Sequence, residues 1–111
     1  LHIPLPVDAR LLALCQGFVQ RPDAHQAPQQ WADQLHISLR TFNRLFRLQT
    51  GLSFSQWRQR ACVVLALARL VVGEPVTRIA LDFGYDSPAA FSTMFRRVLG
   101  LAPTTWLDGT R

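Results

Sequence analysis

Apolar residues recur at every third or fourth position along most of the chain, which is the spacing of helices that bury one face. The first such run extends from Leu11 to Val19; Asp8 is placed to cap its N-terminus, and Pro22 marks its end. No stretch shows the strict alternation of a half-buried strand, so the pattern predicts an all-α fold of about seven helices. The later helices that it bounds lie at approximately 28–35, 39–49, 54–72, 76–83 and 88–99.

The predicted helix at 54–72 is the longest of these and the most apolar. Residues 61–68 contain no polar side chain other than a thiol, which predicts burial on nearly all sides and a central position in the domain. Gly73 and Pro75 end this helix. Ser87 followed by Pro88 is typical of a new helix start, with the serine as cap and the proline in the first turn.

The chain contains an internal repeat. An offset of 49 residues aligns seven identical pairs, and before the turn the offset falls to 48, so the second copy holds one extra turn residue. Two copies are too few for a solenoid, and they indicate two similar units joined by the long helix. The identical pairs are Ser38 and Ser87, Phe42 and Phe91, Phe46 and Phe95, Arg47 and Arg96, Gly51 and Gly100, Leu52 and Leu101, and Trp57 and Trp106.

Each copy consists of a short helix, a tight turn and a longer helix that starts at a serine, which is the order of a helix-turn-helix. We therefore predict one domain over residues 8–111, preceded by an extended linker at 1–7 from an absent N-terminal region. The first unit covers about 28–50, the central helix about 54–72 and the second unit about 76–99. An ordinary pair of helical hairpins is the alternative, and the nature of the exposed faces distinguishes the two.

Charge is concentrated in the middle of the chain. The formal net charge of +5 comes from 12 basic and 7 acidic residues, and every basic residue is an arginine. The whole excess lies between residues 34 and 73, which hold six arginines and no acid. A solvated helix face normally mixes both signs. The acid-free centre therefore indicates a surface for a polyanion, with nucleic acid as the first candidate.

Polar side chains follow one stripe of the second helix in the first copy, opposite its phenylalanines. Arginine can contact O6 and N7 of guanine, and asparagine can contact N6 and N7 of adenine, so the stripe suits a DNA major groove. The stripe consists of Arg40, Asn43, Arg44 and Arg47. Arg47, one turn further along, is predicted to contact a phosphate.

The equivalent stripe in the second copy has less capacity to read bases. It carries the short hydroxyls of Ser92 and Thr93, and Arg96 as a predicted phosphate contact. Backbone amides at the start of both helices can also hold phosphates. The predicted phosphate contacts near these starts are Ser38, Thr41 and Ser87. A connecting helix of ~28 Å is close enough to the ~34 Å between successive major grooves for one monomer to occupy both.

Several segments resemble the C-terminal DNA-binding domain of the AraC/XylS family of bacterial transcription regulators. Residues 84–97 read GYDSPAAFSTMFRR and residues 100–103 read GLAP, which is similar to the family's signature. The first copy, SLRTFNRLFR at 38–47, is similar to the family's first recognition helix. FSQWRQR at 54–60 resembles the subgroup that carries a cupin-like sensor domain, and the resemblance as a whole covers about 11–106.

This resemblance implies a double-stranded DNA partner and base contacts by Arg40, Asn43 and Arg44. It implies that Ser92 and Thr93 are their counterparts in the second unit. It also implies that any effector ligand binds only the absent N-terminal domain, and that RNA polymerase is a partner if the protein is an activator. Thr93 stands where the family often has arginine, which weakens the expected base reading by the second unit. Ala102 stands where serine or threonine is frequent.

The sequence shows no motif with the residue types and spacing of a catalytic or metal site, so we expect no catalytic residue, metal ion or cofactor. Two alternatives stay open: a fragment of a DNA-repair methyltransferase with a cysteine acceptor, and a helical interaction module for an acidic partner. Cys15 and Cys62 lie in apolar runs and are expected to be buried, inert thiols. The three tryptophans are expected in the core. Without an export signal or membrane span, we expect a cytoplasmic, nucleoid-associated protein.

Overall fold

Seven α-helices follow one another along residues 1–110, the part of the chain that the computed structural model describes. No strand occurs among these residues, and two helix-turn-helix units flank one long helix, which confirms the predicted all-α architecture. The last helix is too short and too poor in apolar residues for the sequence pattern to bound it. The helices are α1 (Ala9–Gln20), α2 (Pro28–Leu35), α3 (Leu39–Thr50), α4 (Phe54–Val71), α5 (Val76–Asp82), α6 (Pro88–Leu99) and α7 (Pro103–Thr110).

Side-chain caps start α1 and α6 at the predicted residues. The Asp8 carboxylate accepts hydrogen bonds from the amides of Arg10 and Leu11, both at 3.0 Å. The Ser87 hydroxyl accepts a 3.0 Å hydrogen bond from the amide of Ala90. These bonds satisfy amides that have no partner within the helix, so the local sequence determines where α1 and α6 begin.

Aromatic rings fill the core of the first unit. Trp31 of α2 lies edge-on to Phe42 and Phe46 of α3, with ring centres 6.3 and 6.2 Å apart. Phe54, at the start of α4, is 4.8 Å from the same indole. Edge-to-face contacts of this kind add to the free energy gained from burial. They fix α2, α3 and the first turn of α4 as one packed unit.

The second unit has a smaller aromatic core. Phe91 of α6 is its centre, 5.4 Å from Tyr85 and 5.9 Å from Phe95. The repeat places Trp106 where the first unit has Trp57, but Trp57 is fully buried whereas Trp106 is half-buried against the core. The expectation that the tryptophans are core residues is therefore met fully by Trp31 and Trp57, and only in part by Trp106.

The prediction that residues 61–68 of α4 are buried on nearly all sides is wrong. Ala68 is exposed, and Leu67 is only half-buried. The reason is that α4 packs against α3 on one side and against α5 and α6 on another, which leaves a strip of its surface in water. Small and aliphatic side chains tolerate such exposure. Neither α4 nor any other helix in residues 1–110 is long and apolar enough to cross a membrane.

Candidate nucleic-acid interface

The two helix-turn-helix turns share one hydrogen-bond pattern. The amide of Ile37 donates to the carbonyl of Ala32 at 3.1 Å, and the amide of Tyr85 donates to the carbonyl of Ala80 at 3.0 Å. Both partners are separated by the predicted offset of 48 residues. The offset becomes 49 at the serine caps because Asp86 is inserted in the second turn. The internal repeat in the sequence therefore corresponds to a repeat of the three-dimensional structure.

The α3 helix separates its faces as the pattern predicts. Phe42 and Phe46 are fully buried, whereas the four polar residues of the predicted stripe are exposed. Within residues 1–110, no carboxylate forms an ion pair with any arginine of this stripe. The stripe therefore presents unneutralised guanidinium groups to solvent. Its members are Arg40, Asn43, Arg44 and Arg47.

The α6 helix presents a similar but less charged face. Thr93 and Arg96 are exposed, and Ser92 is half-buried. Like α3, α6 contains no acidic residue, so its outward face would not repel a phosphate backbone. Two short hydroxyls and one guanidinium leave it with fewer hydrogen-bonding groups than α3.

The serines at the two helix starts are engaged in capping. Ser38 Oγ accepts the amide of Thr41 at 3.1 Å and donates to Thr41 Oγ1 at 3.0 Å. Ser87 Oγ is likewise bound to the amide three residues on. The groups left for an anion are the remaining first-turn amides. Phosphate contacts at Ser38, Thr41 and Ser87 accordingly stay a prediction.

Two of the six central arginines form contacts within the fold. Arg58 Nη1 donates a 2.8 Å hydrogen bond to the carbonyl of Gln26. Arg69 Nε lies 3.0 Å from both carboxylate oxygens of Glu74, and its Nη2 lies 2.5 Å from Asp82. Counting charge along the sequence therefore overstates the charge available to a partner. The exposed, unpaired part of the central charge is concentrated on α3.

Sequence reasoning missed the start of α4 as part of this surface. A shallow cavity of about 320 Å³ lies beside the α3 stripe, lined in part by Asn43, Arg47, Ser53 and Ser55. Ser53 and Gln56 form a capping box, with Ser53 Oγ accepting the amide of Gln56 at 3.2 Å. That box is a readable signal, since a serine followed three residues later by glutamine marks a helix N-terminus.

The two cysteines are buried thiols, as expected. Burial raises the pKa of Cys15 to about 12 and the pKa of Cys62 to about 11. Both thiols therefore stay protonated and weakly nucleophilic near neutral pH. Among residues 1–110, no three histidine, cysteine or acidic side chains are grouped so that they could hold a metal ion.

Two helix-turn-helix units on a common helix, each with a second helix that contains no acidic residue, define a tandem helix-turn-helix domain. The chain belongs to the AraC/XylS family and is an AraC-type DNA-binding domain. A family model described as a helix-turn-helix domain matches residues 31–109.

Individual relatives agree with this assignment. The chain is 37% identical over 107 residues to the HTH-type transcriptional regulator NimR of Escherichia coli K12, which covers 96% of this chain and 39% of NimR. It is 32% identical over 108 residues to the regulator RipA of Corynebacterium glutamicum, covering 96% of this chain and 32% of RipA. The chain thus spans well under half the length of these curated relatives.

Solved structures show the same fold. The DNA-binding domain of AdpA, a global transcriptional factor solved in complex with a target DNA, superimposes with a TM-score of 0.80 at 28% identity. That match covers 89% of this chain and 90% of the AdpA chain. The C-terminal domain of AraT, a response regulator from Geobacillus stearothermophilus, gives a TM-score of 0.77 at 24% identity over 89% of this chain and 84% of AraT.

Proposed function

We propose that this domain binds double-stranded DNA sequence-specifically and serves as the DNA-reading part of a bacterial transcription regulator. The observation that carries the proposal is the exposed α3 stripe, whose arginines have no acidic partner within residues 1–110. The chemistry of the stripe matches base edges in a major groove. The names of NimR and RipA, both transcriptional regulators, and the DNA complex of AdpA support the same conclusion.

The two recognition helices have unequal roles in this proposal. In the first unit, Arg40, Asn43 and Arg44 contact base edges, and Arg47 contacts the backbone. In the second unit, Ser92 and Thr93 make weaker base contacts and Arg96 contacts a phosphate, with Ser38, Thr41 and Ser87 adding phosphate contacts at the helix starts. The unequal side-chain chemistry of the two exposed faces supports this division.

The dimensions of the domain suit two successive major grooves. The 18 residues of α4 span ~27 Å at the rise of an α-helix. The longest dimension of the domain is 43 Å, which exceeds the ~34 Å that separates grooves on one side of B-DNA. One monomer therefore has the length to place α3 and α6 in adjacent grooves, with a modest bend of the DNA.

The remaining parts of the proposal concern the whole protein. An effector would bind a separate domain, and RNA polymerase would be a partner if the protein activates transcription. We place the protein in the cytoplasm at the nucleoid, and we assign the domain no enzymatic step. Its relatives named as transcriptional regulators support this assignment.

Selection from random duplex DNA followed by footprinting tests the proposal. The domain should enrich a defined sequence and protect two major-groove segments about one turn, or ~10.5 base pairs, apart. Failure to enrich any sequence over the starting pool would contradict sequence-specific binding. A single short protected segment would instead contradict only the placement of α6 in a second groove.

A further inference from the structure

The loop that joins α1 to α2, residues 21–27, lies against the turn of the second helix-turn-helix unit. The amide of Ala24 donates a 2.8 Å hydrogen bond to the carbonyl oxygen of Phe83. His25 Nε2 lies 3.0 Å from Oδ1 of Asp86, the residue inserted in the second turn. The loop therefore contacts the second turn on both sides of Gly84.

The same loop is fixed internally and to α4. The Asp23 carboxylate accepts the amide of His25 at 2.9 Å, and the Asp23 carbonyl accepts the amide of Gln26 at 3.1 Å, which closes a turn. The carbonyl of Gln26 in turn accepts the 2.8 Å hydrogen bond from Arg58 of α4. Ala27 then caps α2. A short, hydrogen-bonded loop thus connects the first helix of the first unit to the turn of the second.

We propose that the α1–α2 loop is a brace that fixes the second unit relative to the first, and that Gly84 is the positioning residue that allows it to dock. We call the DNA segments contacted by α3 and by α6 the first and second half-sites. By fixing the two units, the loop determines the spacing between half-sites that the domain accepts. The inference rests on the proposed function, because spacing has meaning only if both recognition helices enter DNA.

Gly84 permits a close approach of the loop that a side chain at this position would crowd. Its φ of +80° favours glycine, and an added Cβ would lie 3.0 Å from Asp23 Oδ1 and 3.5 Å from the amide nitrogen of Ala24. A Cβ at this position crowds the Asp23 carboxylate, which holds the loop closed through the amide of His25, so this carboxylate must shift by a few tenths of an ångström. Gly100 has a similar φ of +88°, yet a Cβ there would meet nothing within 4 Å. Alanine at Gly100 therefore introduces backbone strain without disturbing the loop, whereas alanine at Gly84 introduces both. Comparing the two variants distinguishes loss of the brace from backbone strain.

Spacing is a sensitive readout of such a brace. One inserted base pair moves the second half-site by ~3.4 Å along the DNA and turns it by about a tenth of a helical turn. A rigid pair of recognition helices cannot fit both half-sites after that change. A pair that has lost its brace can adjust, so its affinity falls less.

The first experiment uses the duplex selected by the wild-type domain and the same duplex with one base pair inserted between the half-sites. Wild type and the matched control Gly100→Ala should each lose affinity on the order of tenfold on insertion. The variant Gly84→Ala should lose less than about threefold. A duplex with only the first half-site should bind all three proteins equally, which shows that α3 is intact.

The outcomes of this experiment are distinguishable. An insertion penalty in Gly84→Ala as large as in Gly100→Ala would overturn the brace, and so would a wild type that tolerates the insertion. Equal binding of selected and scrambled duplexes by the wild type would instead overturn the proposed function.

A second measurement needs no DNA. Spin labels replace Leu48 on α3 and Leu81 on α5, both exposed, and pulsed electron resonance gives the distance between them. Wild type and Gly100→Ala should give the same narrow distribution, whereas Gly84→Ala should shift or broaden it. Ala24→Pro removes the N–H that binds the Phe83 carbonyl, so it should also shift or broaden the distance distribution. This variant replaces Gly84→Ala in the experiment if Gly84→Ala does not fold. Unchanged distances would overturn the brace whatever the DNA experiment gives.

Discussion

The indole nitrogen of Trp57 donates a 2.7 Å hydrogen bond to the carbonyl oxygen of Pro4, 53 residues earlier in the chain. Close by, the side-chain oxygen of Gln49 accepts the amides of Val7 and Asp8 at 2.9 and 2.8 Å. Residues 1–6 form no helix or strand, and the segment before α1 is bound to α3 through Gln49 and to α4 through Trp57. It therefore contributes to the packed domain.

Replacing Trp57 with phenylalanine should lower the free energy of unfolding by about 2 kcal/mol, because the change leaves a cavity and removes the partner of the Pro4 carbonyl. Denaturant unfolding of both proteins measures the difference. Trp106→Phe is the matched control, since Trp106 is half-buried and should cost less. Equal losses at the two positions would contradict the anchoring role of Trp57.

Arg44→Ala should weaken binding to the selected DNA by about 1–3 kcal/mol and relax the preference at particular bases, because a base-edge contact is lost. Arg40→Ala and Asn43→Ala should act similarly at other positions. A repeat of the random-duplex selection with each variant measures the preference. Leu48→Ala, on α3 and exposed, is the control that should leave it unchanged. If Arg44→Ala selected the same sequence with the same stringency, Arg44 would not read a base.

Arg47→Ala should weaken binding to all sequences about equally, because a phosphate contact carries no sequence information. The slope of log affinity against log salt should fall by roughly one unit. Arg10→Ala removes the same charge from α1, outside both helix-turn-helix units, and should leave the slope almost unchanged. A similar fall in both variants would indicate an effect of net charge and no backbone contact by Arg47.

The Glu74 carboxylate makes stability depend on pH. Hydrogen bonds from Arg69 hold the pKa of Glu74 below its ordinary value of 4.5. A carboxyl with a lowered pKa in the folded state stabilises the fold fully above its unfolded pKa, and this contribution is lost as pH falls through the folded value. Glu74→Gln should therefore lower the denaturation midpoint at pH 7, and its difference from wild type should shrink as pH falls below 4.5. A difference that stays constant down to the acid transition would show that ionisation of Glu74 is not its source.

Neither cysteine should react in the folded protein. With pKa values of about 12 and 11, Cys15 and Cys62 hold very little thiolate at pH 8, and both are buried. Alkylation by iodoacetamide, followed by mass spectrometry, should be slow in buffer and fast in concentrated guanidinium chloride. Incubation with DNA that carries alkylated bases should leave both thiols unmodified. Transfer of an alkyl group to either cysteine would favour the repair-methyltransferase alternative.

Local signals account for most of what the sequence could predict. Pro28, Gly51 and Ser87 each bound a helix at the expected place, because caps and left-handed C-terminal residues depend on their immediate neighbours. The exposed stripe on α3 was predictable for a similar reason, since one helical period separates buried phenylalanines from polar residues. Fold class and candidate site both follow from information within a few turns of helix.

Long-range contacts account for what could not be predicted. Arg58 has the same sequence signature as the arginines of α3, but the carbonyl that it binds lies 32 residues away in the chain. Asp82, 13 residues further on, pairs with Arg69, so the charge of Arg69 is not available to a partner. The contact of Ala24 with Phe83 involves backbone atoms only and leaves no trace in residue type. Such partners become visible only once the helices are packed.

The unequal distribution of charge between the two units has a kinetic consequence. Residues 74–111 hold four arginines and four acidic residues, so the part of the chain that contains the second unit has no net charge. Long-range attraction to DNA therefore acts mainly on α3, which contains no acidic residue. We expect the association rate to depend on salt through α3, while α6 acts after the encounter by lengthening the residence time. The first helix-turn-helix unit would then contact DNA before the second unit does.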